Sequence, residues 1–178
     1  MGNLILVRHS APEIDPARPA RLWGLSAEGR ARCVPLAAAL RQSQPDHILS
    51  STEPKAQETA ACLAEALHLP WATADGLHEH ERPHLPFVSP DAFHAAITSF
   101  FQHPDELVFG AETAVQAHAR FARALQHVLA LHPAQTTIVV THGTVMSLYL
   151  AHLSGGDAFK IWQNLKMPDF VVLPQNKL

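Results

Sequence analysis

Two buried-type runs dominate this sequence, and each stops at a histidine. Leu4-Ile5-Leu6-Val7 leads into Arg8-His9, and Thr137-Ile138-Val139-Val140 leads into Thr141-His142-Gly143. Neither run alternates apolar with polar residues, so each reads as a strand covered on both faces, as in a mainly parallel sheet between two layers of helices. The remaining pattern predicts strands at 3–7, 47–50, weakly at 71–74, at 136–140 and at 170–173, interleaved with helices. Ser26 stands where it caps a helix to about residue 42, with Pro35 expected to kink or split it. Thr52 stands where it caps the next, with Pro54 in the first turn and Ala56, Ala60, Leu63, Ala64 and Leu67 at helical spacing. Further helices are expected at about 90–102, after Ser89, at 113–131 and at 144–153. The Pro- and His-rich stretch 75–110 reads as an excursion from the core, a candidate lid. The expectation is α/β: one domain over residues 1–178, a three-layer α/β/α sandwich on a mostly parallel central sheet.

In such a sheet, ligands bind beyond the carboxyl ends of the strands, at a switch point in strand order. His9 and His142 both sit at strand ends and face each other there if the two strands are neighbours. Histidine alone is a weak signal in a chain with 13 of them, as many as Lys and Arg together. The matched placement is what points to function, and His118 and His127 are assigned to solvated helix faces. A neutral imidazole is a competent nucleophile. Arg8 beside it disfavours imidazolium and would hold an anion for attack, phosphate above all, through its planar fork.

Residues 47–60 end one strand and start a helix whose first amides, with Lys55, form an anion site. The bland reading of Lys55 is a solvated surface lysine. Gly143 and Thr144 open another helix, and the glycine lets backbone N–H groups approach an oxyanion. In Leu77-His78-Glu79-His80-Glu81-Arg82 a carboxyl near phosphate would have a raised pKa, fit to protonate a leaving oxygen. A solvated acidic loop, or metal ligation by His78, His80 and His84, compete for that stretch.

Composition narrows the field. With 178 residues, 47% apolar, the chain is long enough to bury a core. A net charge of −3 argues against a strongly basic nucleic-acid binder and against a polybasic membrane anchor. No apolar run approaches the roughly 20 residues of a membrane span. The first eight residues lack a signal-peptide layout, and Leu6 stands where a myristoylation signal wants Ser or Thr. Cys33 and Cys62, far apart in Ala-rich stretches, show no metal spacing and read as buried free thiols. A cytoplasmic protein is expected.

Taken together, these segments resemble the histidine phosphatase superfamily, the phosphoglycerate-mutase-like group. Arg8-His9-Ser10 resembles its Arg-His-Gly signature, and Leu25-Ser26-Ala27-Glu28-Gly29 its first-helix opening. Residues 50–60, Ser-Ser-Thr-Glu-Pro-Lys-Ala-Gln-Glu-Thr-Ala, resemble its Ser-Ser-x-x-x-Arg-Ala-x-x-Thr-Ala segment. Leu77-His78-Glu79 resembles its acid motif, and Val140-Thr141-His142-Gly143 its second histidine motif. The resemblance implies that His9 becomes phosphohistidine, that Glu79 is the proton donor, and that Arg8, His142 and Lys55 bind the phosphoryl oxygens. Ser10, Gly143 and Thr144 are expected beside the same phosphate. It implies no metal and no organic cofactor, a small phosphorylated substrate (with a phosphoprotein open), and no nucleic-acid or membrane partner. Hydrolysis is favoured over mutase chemistry, because Arg82 stands nearly alone after the acid motif. Three departures are plain: Ser10 replaces a glycine and adds a side chain in a turn that favours Gly, Lys55 replaces an arginine, and Asp15 would repel the ligand if close. They motivate an alternative, a non-catalytic member that binds a phosphorylated ligand or partner.

Overall fold

The computed structural model describes residues 2–82 and 87–178. Among them, one mixed sheet contains β1 (Asn3–Arg8), β2 (His47–Ser50), β3 (Trp71–Thr73), β4 (Thr137–Thr141) and β5 (Asp169–Pro174), in the order β3-β2-β4-β1-β5. The pairs β1–β4, β4–β2 and β2–β3 are parallel, and only the β5 edge runs antiparallel, to β1. The helices are α1 (Ala27–Leu40), α2 (Pro54–Leu67), α3 (Pro90–Gln102), α4 (Ala114–Leu131), α5 (Gly143–Ser154) and α6 (Ala158–Asn164).

The two-residue period of a strand sorts the apolar runs into two cores. Ile5, Val7, Ile48, Ile138 and Val140 pack against Leu36 and Leu40 of α1 and Leu63 of α2. Leu4, Leu6 and Val139 face the other way, onto Phe100, Phe121, Leu125 and Met146 of α3, α4 and α5. That is the three-layer α/β/α sandwich expected. Each such fully buried side chain stabilises the fold by about 1.5–3 kcal/mol.

Local chemistry explains the helix starts and corrects several expectations. Ser26 accepts from Gly29 N and caps α1, and Thr113 with Gln116 forms a capping box on α4. Pro35 neither splits nor ends α1: it lies on the exposed face, where a backbone carbonyl left without its helical donor is open to solvent. Thr52 is not the cap of α2. Glu53 occupies that position, Thr52 is exposed, and the hydroxyl that reaches the turn is that of Ser51, which accepts from Glu53 N. Helix α6 was not anticipated. It is seven residues long, too short for a periodic signal, and is announced only by Asp157, which caps it by accepting from Lys160 N. His118 is not on a solvated face but is half-buried, packed on His152 with centroids 4.6 Å apart and on Tyr149. Cys33 and Cys62 lie on the packed pair α1 and α2 as free thiols, but only Cys33 is buried; Cys62, on α2, is half-exposed, against the expectation of two buried thiols. Burial, with Cys62 next in effect, pushes the Cys33 thiol up to about 12. Among the described residues no helix is long and apolar enough to cross a membrane.

One consequence of strand order positions the site. In the β1–β4 register Arg8 pairs with Thr141, so His9 and His142, one residue further on, come out side by side. The chain leaves β1 toward α1 on one face and leaves β4 for α5 on the other. The split opens a crevice above the two strands.

Candidate active site

His9 has its backbone N bonded to Thr141 O at 2.9 Å, and its Nδ1 lies 2.7 Å from Ser10 O. A carbonyl only accepts, so Nδ1 carries the proton and Nε2 keeps its lone pair. The side chain is buried yet lines a cavity of about 380 Å³. Burial holds the imidazole well below its ordinary pKa, and the His142, Lys55 and Arg8 charges act in the same direction. His9 therefore stands as a neutral imidazole with a free ring nitrogen.

The His9 and His142 rings are 5.1 Å apart at an angle of 61°. His142 is fully buried and stands at the N-cap position of α5, its side chain turned away from the helix amides; its Nε2 is 2.8 Å from Ser51 Oγ and 3.7 Å from Glu53 Oε1. Burial lowers its pKa to about 4, against the pull of the Glu53 and Glu79 carboxylates. Its Nδ1 has no partner, and neither has the buried Nε of Arg8, whose Nη1 donates to Leu165 O at 2.6 Å. Buried polar atoms are nearly always satisfied, so the unpartnered Arg8 Nε, on a residue of the cavity wall beside His9, marks a place for a group that accepts hydrogen bonds. Gly143 packs directly beneath Arg8: a Cβ there would come within 3.0 Å of Cζ and Nε.

Lys55 is not a surface lysine. Its ammonium is buried in the cavity wall, held by the Glu53 carboxylate and by Ala20 O at 2.8 Å. The start of α2 is thus not a bare anion site, because it carries the charge of Glu53. Burial works against ionising Glu53, but His142 and Lys55 outweigh it and hold the carboxyl below its ordinary range.

Glu79 sits opposite. Its carboxylate accepts from His80 N at 2.9 Å, Thr144 N at 3.2 Å and Val145 N at 3.3 Å, so it occupies the N-terminus of α5. Burial pushes its pKa upward, but Arg82, His142 and the backbone N–H groups of His80 and Thr144 prevail, and these protein neighbours hold the carboxyl well below its ordinary value. The loop bearing it is pinned from α4. Arg120 donates to Gly76 O, His78 O and Glu79 O and forms a two-pronged ion pair with Glu112.

Of the residues singled out in the sequence, Arg8, His9, Lys55, Glu79 and Thr144 line one cavity. Three do not line it. His142 is fully buried beside His9, its ring centroid 5.1 Å from that of His9. Ser10 turns its hydroxyl away to Gly29 O at 2.7 Å and has no left-handed φ, so its turn carries no strain. Gly143 meets Arg8 instead, and the Thr144 amide donates to Glu79. Asp15 is also absent from the wall; it accepts from Ala17 N. The metal alternative finds no cluster of ligands among the described residues: His78 pairs with Glu81 and His80 stacks on Phe100. His84 lies outside the described residues. Glu53, Ser51 and Arg82 were not anticipated as site residues, for their positions depend on tertiary contacts with no local pattern. The doublet Ser50-Ser51 and the charge of Arg82 were the only cues.

A family model described as histidine phosphatase superfamily (branch 1) matches residues 4–170. No curated protein matches the sequence. Among solved structures, a mycobacterial glucosyl-3-phosphoglycerate phosphatase superposes with a TM-score of 0.72 at 21% identity, over 91% of this chain and 84% of that one. A phosphoserine phosphatase mutant from Entamoeba histolytica, in complex with phosphoserine, gives 0.75 at 17% identity over 97% and 90%. YhfR of Bacillus stearothermophilus gives 0.73 at 22% over 91% and 84%.

Proposed function

The chain belongs to branch 1 of the histidine phosphatase superfamily, and from that premise we propose that it hydrolyses a small phosphomonoester through a phosphohistidine on His9, without a metal. The observation that carries this reading is the neutral His9, its Nδ1 tied to a carbonyl, beside the buried and unpartnered Nε of Arg8 in the wall of the same cavity. The phosphatases it resembles in fold point to the same class of reaction.

Two displacements follow. His9 Nε2 attacks phosphorus while the bond to the ester oxygen breaks, and Glu79 gives that oxygen its proton. Water then attacks the phosphohistidine; Glu79 takes the proton, the P–N bond breaks, and phosphate leaves. Its protein neighbours hold Glu79 ionised, so the proton arrives with the substrate. A phosphoester has a second pKa near 6, and a bound phosphate dianion raises the pKa of a facing carboxyl by like-charge repulsion. Arg8, Lys55 and Arg82 supply the positive charge that a phosphoryl transition state needs, so electrostatic stabilisation does most of the work. Binding without turnover, the alternative, has less in its favour, since Ser10 does not crowd the cavity and Asp15 stays out of it.

The test is hydrolysis of p-nitrophenyl phosphate by wild type and His9→Ala, with and without chelator. The expected result is turnover that chelator leaves unchanged and the mutant loses. Chelator-sensitive turnover, or full activity in the mutant, overturns the proposal.

A further inference from the structure

Beyond the phosphate end, the cavity changes character. Its described outer wall contains Trp23, Phe87, Phe93, Phe109 and Trp162, with Arg18, Arg21 and Arg82 between them, and no Ser, Asn, Gln or Tyr. A leaving group rich in hydroxyls would lose its hydration there and find few side-chain partners. Planar, apolar groups suit such a wall, because aromatic faces and guanidinium planes both stack on rings.

Two of these rings are set apart from the rest. Trp23 has its indole N–H bound to Asp15 O at 2.9 Å and to Arg18 O at 3.0 Å, which satisfies its polar edge and fixes its plane. Phe87 faces it with centroids 6.5 Å apart at 46°, and is 47% exposed. By contrast, Phe93 and Phe109 are already covered by the Arg82 guanidinium, 5.1 and 5.6 Å from their centroids. Among the described residues no guanidinium lies over Trp23 or Phe87, which form an aromatic pair in the wall of the cavity that holds His9, and no carboxylate pairs with the nearby Arg18 or Arg21.

We propose that Trp23 and Phe87 select a phosphomonoester whose alcohol carries an aromatic ring, seated against this pair while the phosphoryl group lies at His9. This rests on the phosphatase reading of the same cavity and adds its substrate class.

The test compares 2-phenylethyl, 2-cyclohexylethyl and ethyl phosphate, all esters of primary alcohols, so leaving-group chemistry is held nearly constant. The matching phosphonates, which cannot be hydrolysed, are measured by calorimetry. The phenyl ester is expected to exceed ethyl phosphate about tenfold or more in kcat/KM, as ring stacking of this kind provides, and to exceed the cyclohexyl ester as well. Phe87→Ala, a change at an exposed position, and Trp23→Leu, which keeps an apolar wall, should each shrink the phenyl-to-ethyl ratio severalfold. Equal kcat/KM for the three esters overturns this inference and leaves the phosphatase reading standing. No hydrolysis, with the phenyl phosphonate still bound best, supports the aromatic site and overturns the phosphatase reading. No hydrolysis and no ring preference overturns both.

Discussion

At the scale of single residues, the site is an arrangement of protons and vacant lone pairs. His9 keeps Nε2 free because Ser10 O holds Nδ1, and His142 stays neutral at ordinary pH because burial outweighs the carboxylates near it. Gly143 matters for the same geometry without touching a ligand. A methyl group there would come within 3.0 Å of Arg8 Cζ and Nε, so the guanidinium would have to move. Gly143→Ala should therefore lower kcat/KM severalfold, short of the roughly hundredfold loss that a 1 Å misplacement brings, while the thermal midpoint changes little; wild-type kcat/KM in this variant would contradict it. The histidines and Arg8 were legible in the sequence because each follows an unbroken apolar strand. Glu53 was not, since its contacts are with Lys55, His142 and Glu79 N, which only the fold assembles.

At the scale of elements, what was legible followed burial. The strands and the long helices lie where Leu4–Val7, Ile138–Val140 and the α2 and α4 stripes demand apolar neighbours. What was missed lacks such a stripe: α6 is short, and the start of α2 is settled by Glu53 and Ser51 rather than by Thr52. The Glu79 loop is the clearest case, because its anchor, Arg120, comes from α4, about forty residues on. Arg120→Ala would leave Glu112 buried and unpaired, at a cost of about 3–5 kcal/mol. Arg120→Lys keeps the charge and loses the fork. In that milder variant, hydrolysis of an alkyl phosphate should fall much more than hydrolysis of p-nitrophenyl phosphate, whose leaving group hardly needs the proton of Glu79. Equal losses on both substrates would mean that Arg120 only stabilises the fold.

For the whole molecule, acid is the vulnerability. Burial lowers the pKa of His9, His47, His80, His118 and His142 in the folded state. The unfolded chain then binds more protons as pH falls below about 6.5, so stability contributed by these neutral rings is present above that pH and lost below it. His142, from 6.5 to about 4, accounts by itself for on the order of 2 kcal/mol by pH 5. Glu53 and Glu79, held below their ordinary value, add a further loss once pH drops under 4.5. Urea midpoints should therefore fall clearly between pH 7 and pH 5, and an unchanged midpoint would contradict this. The central claim is that His9 accepts the phosphoryl group, and rapid quenching followed by mass spectrometry tests it most directly. The enzyme is mixed with phosphoester, stopped at neutral-to-basic pH within the first turnover, and digested. The account predicts a phosphoryl group on the peptide bearing His9, lost on acid treatment and absent from His9→Ala; turnover with that peptide unlabelled at every quench time would contradict it.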